Sequence, residues 1–554
     1  MPNPITTLRN FAVSVEAAGR SGMLGPYWPW QWARVPEVIW RRGLTLGAAY
    51  GFGAALRGNT TAAVDDAGSS TFVEMEAWTD ALAVGLAEQG IKAGDTVAVL
   101  CRNHRRFVAG VVALGKLGVD IVYLNTGFAG PQLVDVAERE GAAALLVDEE
   151  FLELTEGLGE DVRLVVAWSE HGQGSKRAVS FDRLVSSGVG RGAPSPERRQ
   201  GRQVVLTSGT TGTPKGANRK VGSAFEPFLS ILSRIPLRTS DTTLIAAPMF
   251  HSWGLANVAL ALVLGTKIVL PRRFDPEDAL RLIEEHSVTV LAAVPVMIQR
   301  IMALPDDVLR RYDTSSLRVV GLSGSALPGE LATRFMDVFG DVIYNLYGST
   351  EVGWVSIADP RDLREAPGTA GRVPIGTTVR ILDDDGAEVP TGTTGRIFVR
   401  SGLLFENYTG GGGKDVIDGF MSIGDVGCFD DVGRLFVAGR DDDMIVSGGE
   451  NVFPREVEDL LADHESVADV AIIGVSDHDF GQRLVAFVVP SDAATAIDDD
   501  ELKDYVRSHL ARHKVPRQIV TMDELPRNTT GKVLKRELAA HLDGGGRGDG
   551  GAGG

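Results

Sequence analysis

Residues 207–216 read TSGTTGTPKG, ten residues dense in hydroxyls and glycine, with Lys215 behind a proline. Thr207, Ser208, Thr210, Thr211 and Thr213 supply hydroxyl donors, while Gly209, Gly212 and Gly216 leave backbone N–H groups uncovered. Such a stretch wraps oxyanions, so a phosphate-bearing ligand is the first inference. A P-loop nucleotidase would read G-x-x-x-x-G-K-[ST]. Here Lys215 lies between Pro214 and Gly216, and that signature fails.

Working outward, residues 60–190 alternate amphipathic helices with short apolar strands. TFVEMEAWTDALAVGLAEQG reads as a helix, DTVAVLC as a strand, FVAGVVALGKLG as a helix and VDIVYLN as a strand. The order recurs after the loop: TTLIAAPMF, a helix over 254–264, the strand TKIVL, the helix PEDALRLIEEHS, the strand VTVLAAV, a helix over 329–339 and VIYNLYGSTE. This is the rhythm of a layered α/β body. Residues 371–438 turn to short strands with Asp/Gly turns, a small β-rich subdomain, and 441–540 form a separate α+β unit. The domains expected are therefore an extension at 1–54, a body at 55–440, a mobile C-terminal domain at 441–540 and a disordered Gly-rich tail at 541–554.

At 554 residues the chain exceeds one core, and 44% hydrophobic residues with 67 glycines suit a packed α/β enzyme. A net charge of -18 argues against nucleic acid as the main partner. Cys101 and Cys428 are the two cysteines, without metal-ligand spacing, and read as small buried apolar side chains in a reducing cytoplasm. No stretch of 18 apolar residues occurs. Trp28, Trp30, Trp32 and Trp40 lie close to Arg34, Arg41 and Arg42, a mixture that suits the inner face of a bilayer. The plainer alternative packs these aromatics onto the main body. Monomer and homodimer both stay open.

Several further motifs follow in order: YGSTE at 347–351, SIGD at 422–425, GRDDDMIVSGGENVFPREVE at 439–458 and PRNTTGKVLKREL at 526–538. Tyr347 offers a flat face for a base, Thr350 a hydroxyl and Glu351 a hard oxygen for Mg²⁺. Asp425 can accept both hydrogen bonds of a vicinal diol, with Arg440 adding donors. Lys532 is a mobile point charge suited to a crowded phosphoryl centre, although lysines in Gly-flanked turns are usually only solvated. A lone histidine near an apolar segment, such as His251, is more often a packed core residue.

With TSGTTGTPKG, these motifs resemble the acyl-adenylate-forming superfamily over roughly residues 55–540, and within it the fatty acyl-CoA synthetases. The resemblance implies that Thr207, Ser208, Gly209, Thr210, Thr211, Gly212 and Lys215 cradle the phosphates of ATP. It implies that Tyr347 and Gly348, with the loop bearing Ser325 and Ala326, hold adenine, that Thr350 meets the α-phosphate, and that Glu351 holds magnesium. Asp425 and Arg440 would engage the ribose, and Ile423 stands where the family usually has threonine. His251 would sit beside the substrate carboxylate, where amino-acid-activating relatives place an aspartate. Lys532 would be the adenylation lysine, Asp442 the hinge, and Gly448 and Gly449 the lining of the coenzyme A channel.

The mechanism so implied transfers a carboxylate to the α-phosphorus of ATP, releasing pyrophosphate, and then to coenzyme A, releasing AMP. A fatty acid is the expected substrate, with Trp253, Val296, Leu322 and Val355 as candidate walls of its channel. Rivals are an aryl or other apolar acid, an acyl-carrier protein in place of coenzyme A, and a nucleotide-binding protein without catalysis.

Overall fold

The computed structural model describes residues 4–545 apart from 24, 26–27, 44, 171–176, 193, 195–196, 198, 208–214, 220–224, 406, 410–412, 442, 448–449, 478–480, 492–496 and 529–530. The large N-terminal body carries two eight-stranded sheets among these residues. In the first, strands Thr61–Asp65, Lys267–Leu270, Thr242–Ile245, Val290–Ala293, Val319–Leu322 and Ile343–Ser349 run parallel in that spatial order. The second has a parallel centre of Gln203–Thr207, Asp120–Tyr123, Thr96–Leu100 and Ala142–Val147. Their continuous Val, Ile, Leu and Ala runs are those of strands covered on both faces.

Helices Phe72–Glu88 and Arg105–Lys116 share one core with residues of both sheets, including Val97, Tyr123, Ala63 and Ile268. The first helix starts at a reciprocal cap. Thr71 Oγ1 accepts the Glu74 N–H at 3.2 Å, and the Glu74 carboxylate accepts the Thr71 N–H at 2.7 Å. A five-stranded sheet containing Thr378–Leu382, Gly395–Arg400 and Phe420–Phe429 makes the small β-rich subdomain. A second five-stranded sheet, with helices Pro454–Ala462, Asp499–His509 and Lys535–Gly545, makes the α+β C-terminal domain. The expected fold class is the one observed.

Three local expectations are corrected. Helix Lys535–Gly545 runs into the tail expected to be disordered, because Leu542 and His541 pack against the Phe487 side of the C-terminal sheet. Cys101 is buried, whereas Cys428 is only half-buried, and burial raises both thiol pKa values. The tryptophan-rich segment packs Val38 and Arg42 against the body but not its tryptophan rings. Val38 lies against Gly51 and Arg42 is buried near Asp80, yet Trp28, Trp30 and Trp40 are 63%, 61% and 68% exposed. No described helix is long and apolar enough to cross a membrane.

Candidate active site

Ligands of parallel α/β sheets gather beyond the carboxyl ends of the strands. His251 follows strand Thr242–Ile245 there, the Ser323–Ala326 segment follows Val319–Leu322, and Tyr347–Glu351 close strand Ile343–Ser349. The last of these forms a tight antiparallel hairpin with Gly353–Ala358. Gly348 is needed at its neck, since a Cβ there would lie 2.0 Å from the Gly353 carbonyl oxygen. Gly353 closes the hairpin at φ +77°, where only glycine is unstrained. The turn thus presents Thr350 and Glu351 together. The Thr350 hydroxyl lies 3.0 Å from Ser252 Oγ, and Glu351 is 8% exposed with its Oε1 accepting from the Tyr408 hydroxyl at 2.8 Å.

Tyr347 meets Asp425 from the β-rich subdomain. Its hydroxyl donates to Asp425 Oδ2 at 2.5 Å, while Arg440 Nη1 lies 3.5 Å from Oδ1. Asp425 and Arg440 are register partners on paired strands, so the sheet itself sets the pair. Asp425 sits inside strand Phe420–Phe429, directly behind Gly424 at φ +85°. Burial raises the Asp425 pKa, opposed by the Tyr347 hydrogen bond and then by the charges of Arg440, Lys532 and Lys414. Ile423 packs with Ile381, Val399 and Met421, which explains how an apolar residue is accommodated beside the aspartate.

The C-terminal domain supplies Lys532. Asn528 holds its turn: the Asn528 N–H donates to the Lys532 carbonyl and Asn528 Oδ1 accepts the Lys532 N–H, both at 2.9 Å. Gly531, at φ +79°, approaches Val296 so closely that a Cβ would stand 2.6 Å from Val296 Cγ1. The exposed Lys532 ammonium is near enough to act electrostatically on both His251 and Asp425. Lys532, His251 and Asp425 are thereby brought to one site.

His251 caps helix Ser252–Leu264 through its backbone and stacks obliquely on Phe250 at 4.4 Å. Burial, and secondarily the charge of Lys532, lower its pKa from 6.5 to about 4. The folded protein therefore keeps it neutral where an unfolded chain is protonated. Its stabilising contribution is complete above pH 6.5 and is lost as the pH falls toward 4. His251→Gln is expected to flatten this part of the acid limb of thermal stability. Identical limbs for the two proteins between pH 4 and 7 would reject the assignment.

The strands Gln203–Thr207 and Lys215–Arg219 bracket the hydroxyl-rich loop. Its residues Ser208, Gly209, Thr210, Thr211 and Gly212, like Asp442, Gly448 and Gly449, lie outside the described residues, as do the side chains of Thr207 and Lys215. Ser325 is half-buried and Ala326 exposed at the site. The proposed acyl walls divide. Trp253 packs with Leu322 in one core and donates its indole N–H to the Ala293 carbonyl at 2.9 Å, whereas Val355 belongs to the core of the β-rich subdomain. Leu322 and Val355 are fully buried and do not line an open channel. Sequence reasoning missed Ser252, Lys414 and Tyr408, none of which lies in a motif that marks it. A separate open cavity of about 620 Å³, lined by Arg20, Arg234, Tyr344 and Arg364, reaches the opposite, amino-terminal end of strand Ile343–Ser349.

The chain belongs to the AMP-binding enzyme family: that family's pattern matches residues 53–409, and the pattern of the AMP-binding enzyme C-terminal domain matches 456–532. It is 33% identical over 477 residues to a feruloyl-CoA synthase of Amycolatopsis sp., covering 84% of this chain and 93% of that one. It is 32% identical over 480 residues to an indoleacetate–CoA ligase of Aromatoleum aromaticum, covering 84% and 92%. Among solved structures, an amide bond synthetase from Marinactinospora thermotolerans superposes with TM-score 0.79 at 27% identity, over 90% of this chain and 99% of the other. An o-succinylbenzoate–CoA synthetase from Bacillus subtilis with its acyl-adenylate intermediate gives 0.75 at 28%, over 88% and 97%. A further structure of that synthetase holds ATP and a magnesium ion.

These relatives overturn the fatty-acid assignment, and with it the fatty acyl-CoA synthetase type and a role in lipid metabolism. The physical reason is that apolar residues near His251 report only an apolar acid body. A ring and an alkyl chain gain similarly per unit of buried apolar area.

Proposed function

We propose that the protein activates a ring-bearing, non-fatty carboxylic acid with ATP and Mg²⁺ and transfers it to coenzyme A. The reaction type is supported by the Lys532 charge acting on both His251 and Asp425, with Ser252, next to His251, bonded to Thr350 of the Thr350–Glu351 turn. The substrate class is supported by relatives named for ferulate, indoleacetate and 2-succinylbenzoate.

In the first step a carboxylate oxygen attacks the α-phosphorus, the bond to the β-phosphate bridging oxygen breaks, and pyrophosphate leaves. Asp425 and Arg440 orient the ribose, and Tyr347 is held by Asp425 so that its ring can meet adenine. Thr350 donates to the α-phosphate, and Lys532 offsets charge on the attacking and α-phosphate oxygens. Glu351 fits a magnesium ion as a buried hard oxygen donor beside a hydroxyl, and would hold it; the bound ion neutralises phosphate charge. Neutral His251 can accept or donate a hydrogen bond beside the carboxylate without adding a second positive charge. In the second step the thiol sulfur attacks the acyl carbon, the thiol proton passes to solvent, and the carbon–oxygen bond to AMP breaks.

A panel of ferulate, indoleacetate, 2-succinylbenzoate, benzoate, decanoate and palmitate tests this, with pyrophosphate and acyl-CoA measured separately. At least one ring-bearing acid is expected to exceed both fatty acids by about 10-fold in kcat/KM, a difference of roughly 1.4 kcal/mol. Equal or better turnover of the fatty acids would reject the substrate class. Pyrophosphate release that stays uncoupled from acyl-CoA would reject coenzyme A as acceptor and bring an amine or a carrier protein forward.

A further inference from the structure

We propose that Tyr408 is a positioning residue for Glu351, tying the metal-binding carboxylate to the strand that leaves the phosphate loop. This rests on the reading of Glu351 as the magnesium ligand. Tyr408 lies 57 residues further along the chain, yet its hydroxyl donates to Glu351 Oε1 at 2.8 Å. Among the described residues it is the side chain that holds this carboxylate, and it takes one oxygen. The second oxygen is then left for a cation. Magnesium tolerates little departure from octahedral geometry, so a carboxylate fixed in rotation binds it better than one free to turn.

The other end of Tyr408 is fixed as firmly. Asn407–Tyr408 form a two-residue strand paired antiparallel with Lys215–Arg219, Tyr408 opposite Ala217. The Thr409 N–H donates to the Gly216 carbonyl at 2.9 Å, and a Cβ on Gly216 would meet Thr409 Oγ1 at 2.7 Å. Phe405 packs edge-on against the Tyr408 ring at 4.8 Å, and its N–H donates to the Glu351 carbonyl oxygen at 2.7 Å. Phe405, Tyr408 and Thr409 thus join two parts of the site that the sequence places far apart, the Lys215–Gly216 end of the loop and the Glu351 turn.

The test is Mn²⁺ affinity by electron paramagnetic resonance with α,β-methylene-ATP present, in wild type, Tyr408→Phe, Phe405→Leu and Glu351→Gln, with thermal midpoints alongside. Tyr408→Phe is expected to weaken Mn²⁺ binding about 10-fold, the usual scale for losing a partner that orients a metal ligand. Excess Mg²⁺ should restore its kcat while the apparent KM for nucleotide stays high. Phe405→Leu disturbs the ring contact but keeps the hydroxyl bond, and should bind Mn²⁺ like wild type. Equal weakening in both would overturn the proposal in favour of general packing, and so would wild-type affinity in Tyr408→Phe while Glu351→Gln loses it. Wild-type affinity in Glu351→Gln would instead overturn the metal-ligand reading beneath it.

Discussion

Replacing Lys532 by alanine is expected to reduce acid-dependent pyrophosphate release at least ~10²-fold while largely sparing thioester formation from supplied acyl-adenylate. The ammonium is exposed on a turn held by Asn528, and its charge reaches both His251 and Asp425 across the domain boundary. In the proposed reaction, that is the side of the site where negative charge would accumulate as the carboxylate attacks phosphorus. The second half-reaction has no triphosphate to neutralise and should not need it. Separate assays of the two half-reactions check the division. Equal losses in both would show that Lys532 serves the fold or the shared nucleotide site instead.

Asp425→Ala should raise the KM for ATP and lower kcat/KM by roughly 10–10²-fold, with little change in the KM for the acid. A hydrogen bond to a charged group contributes about 1.5–3 kcal/mol, and in the proposed function this carboxylate accepts from a ribose diol. Its loss also frees the Tyr347 ring, which the hydroxyl bond at 2.5 Å now orients, and removes the carboxylate that Arg440 faces. Asp425→Asn, which keeps an acceptor but no charge, should fall between the two. Unchanged nucleotide KM in both variants would remove Asp425 and Arg440 from the nucleotide site.

Much of the site could be read in advance because its residues cluster along the chain. Gly348, Thr350 and Glu351 occupy one hairpin, and that hairpin is written into YGSTE and the glycine two residues beyond it. Tyr408 could not be found this way. Its pairing with Glu351 depends on where the β-rich subdomain delivers a two-residue strand, and no periodicity encodes that. The acyl walls failed for a related reason. Leu322 and Val355 are equally apolar in sequence, but one packs into the core of the large body and the other into that of the β-rich subdomain, both fully buried.

By itself the sequence determined the order of strands and helices and the fold class, a large α/β body with a small β-rich subdomain and an α+β C-terminal domain. Those properties depend on local periodicity, glycine backbone freedom and charge, all carried by neighbouring residues. The tertiary structure alone decided what crosses between distant segments: the charge of Lys532 felt at His251 and Asp425, Gly531 against Val296, and Tyr408 on Glu351. It also left the rings of Trp28, Trp30 and Trp40 in solvent, and on the helix Val35–Arg42 it is Arg42 that is buried instead of Trp40. Such contacts depend on how rigid units pack, which is a property of surfaces assembled from distant segments.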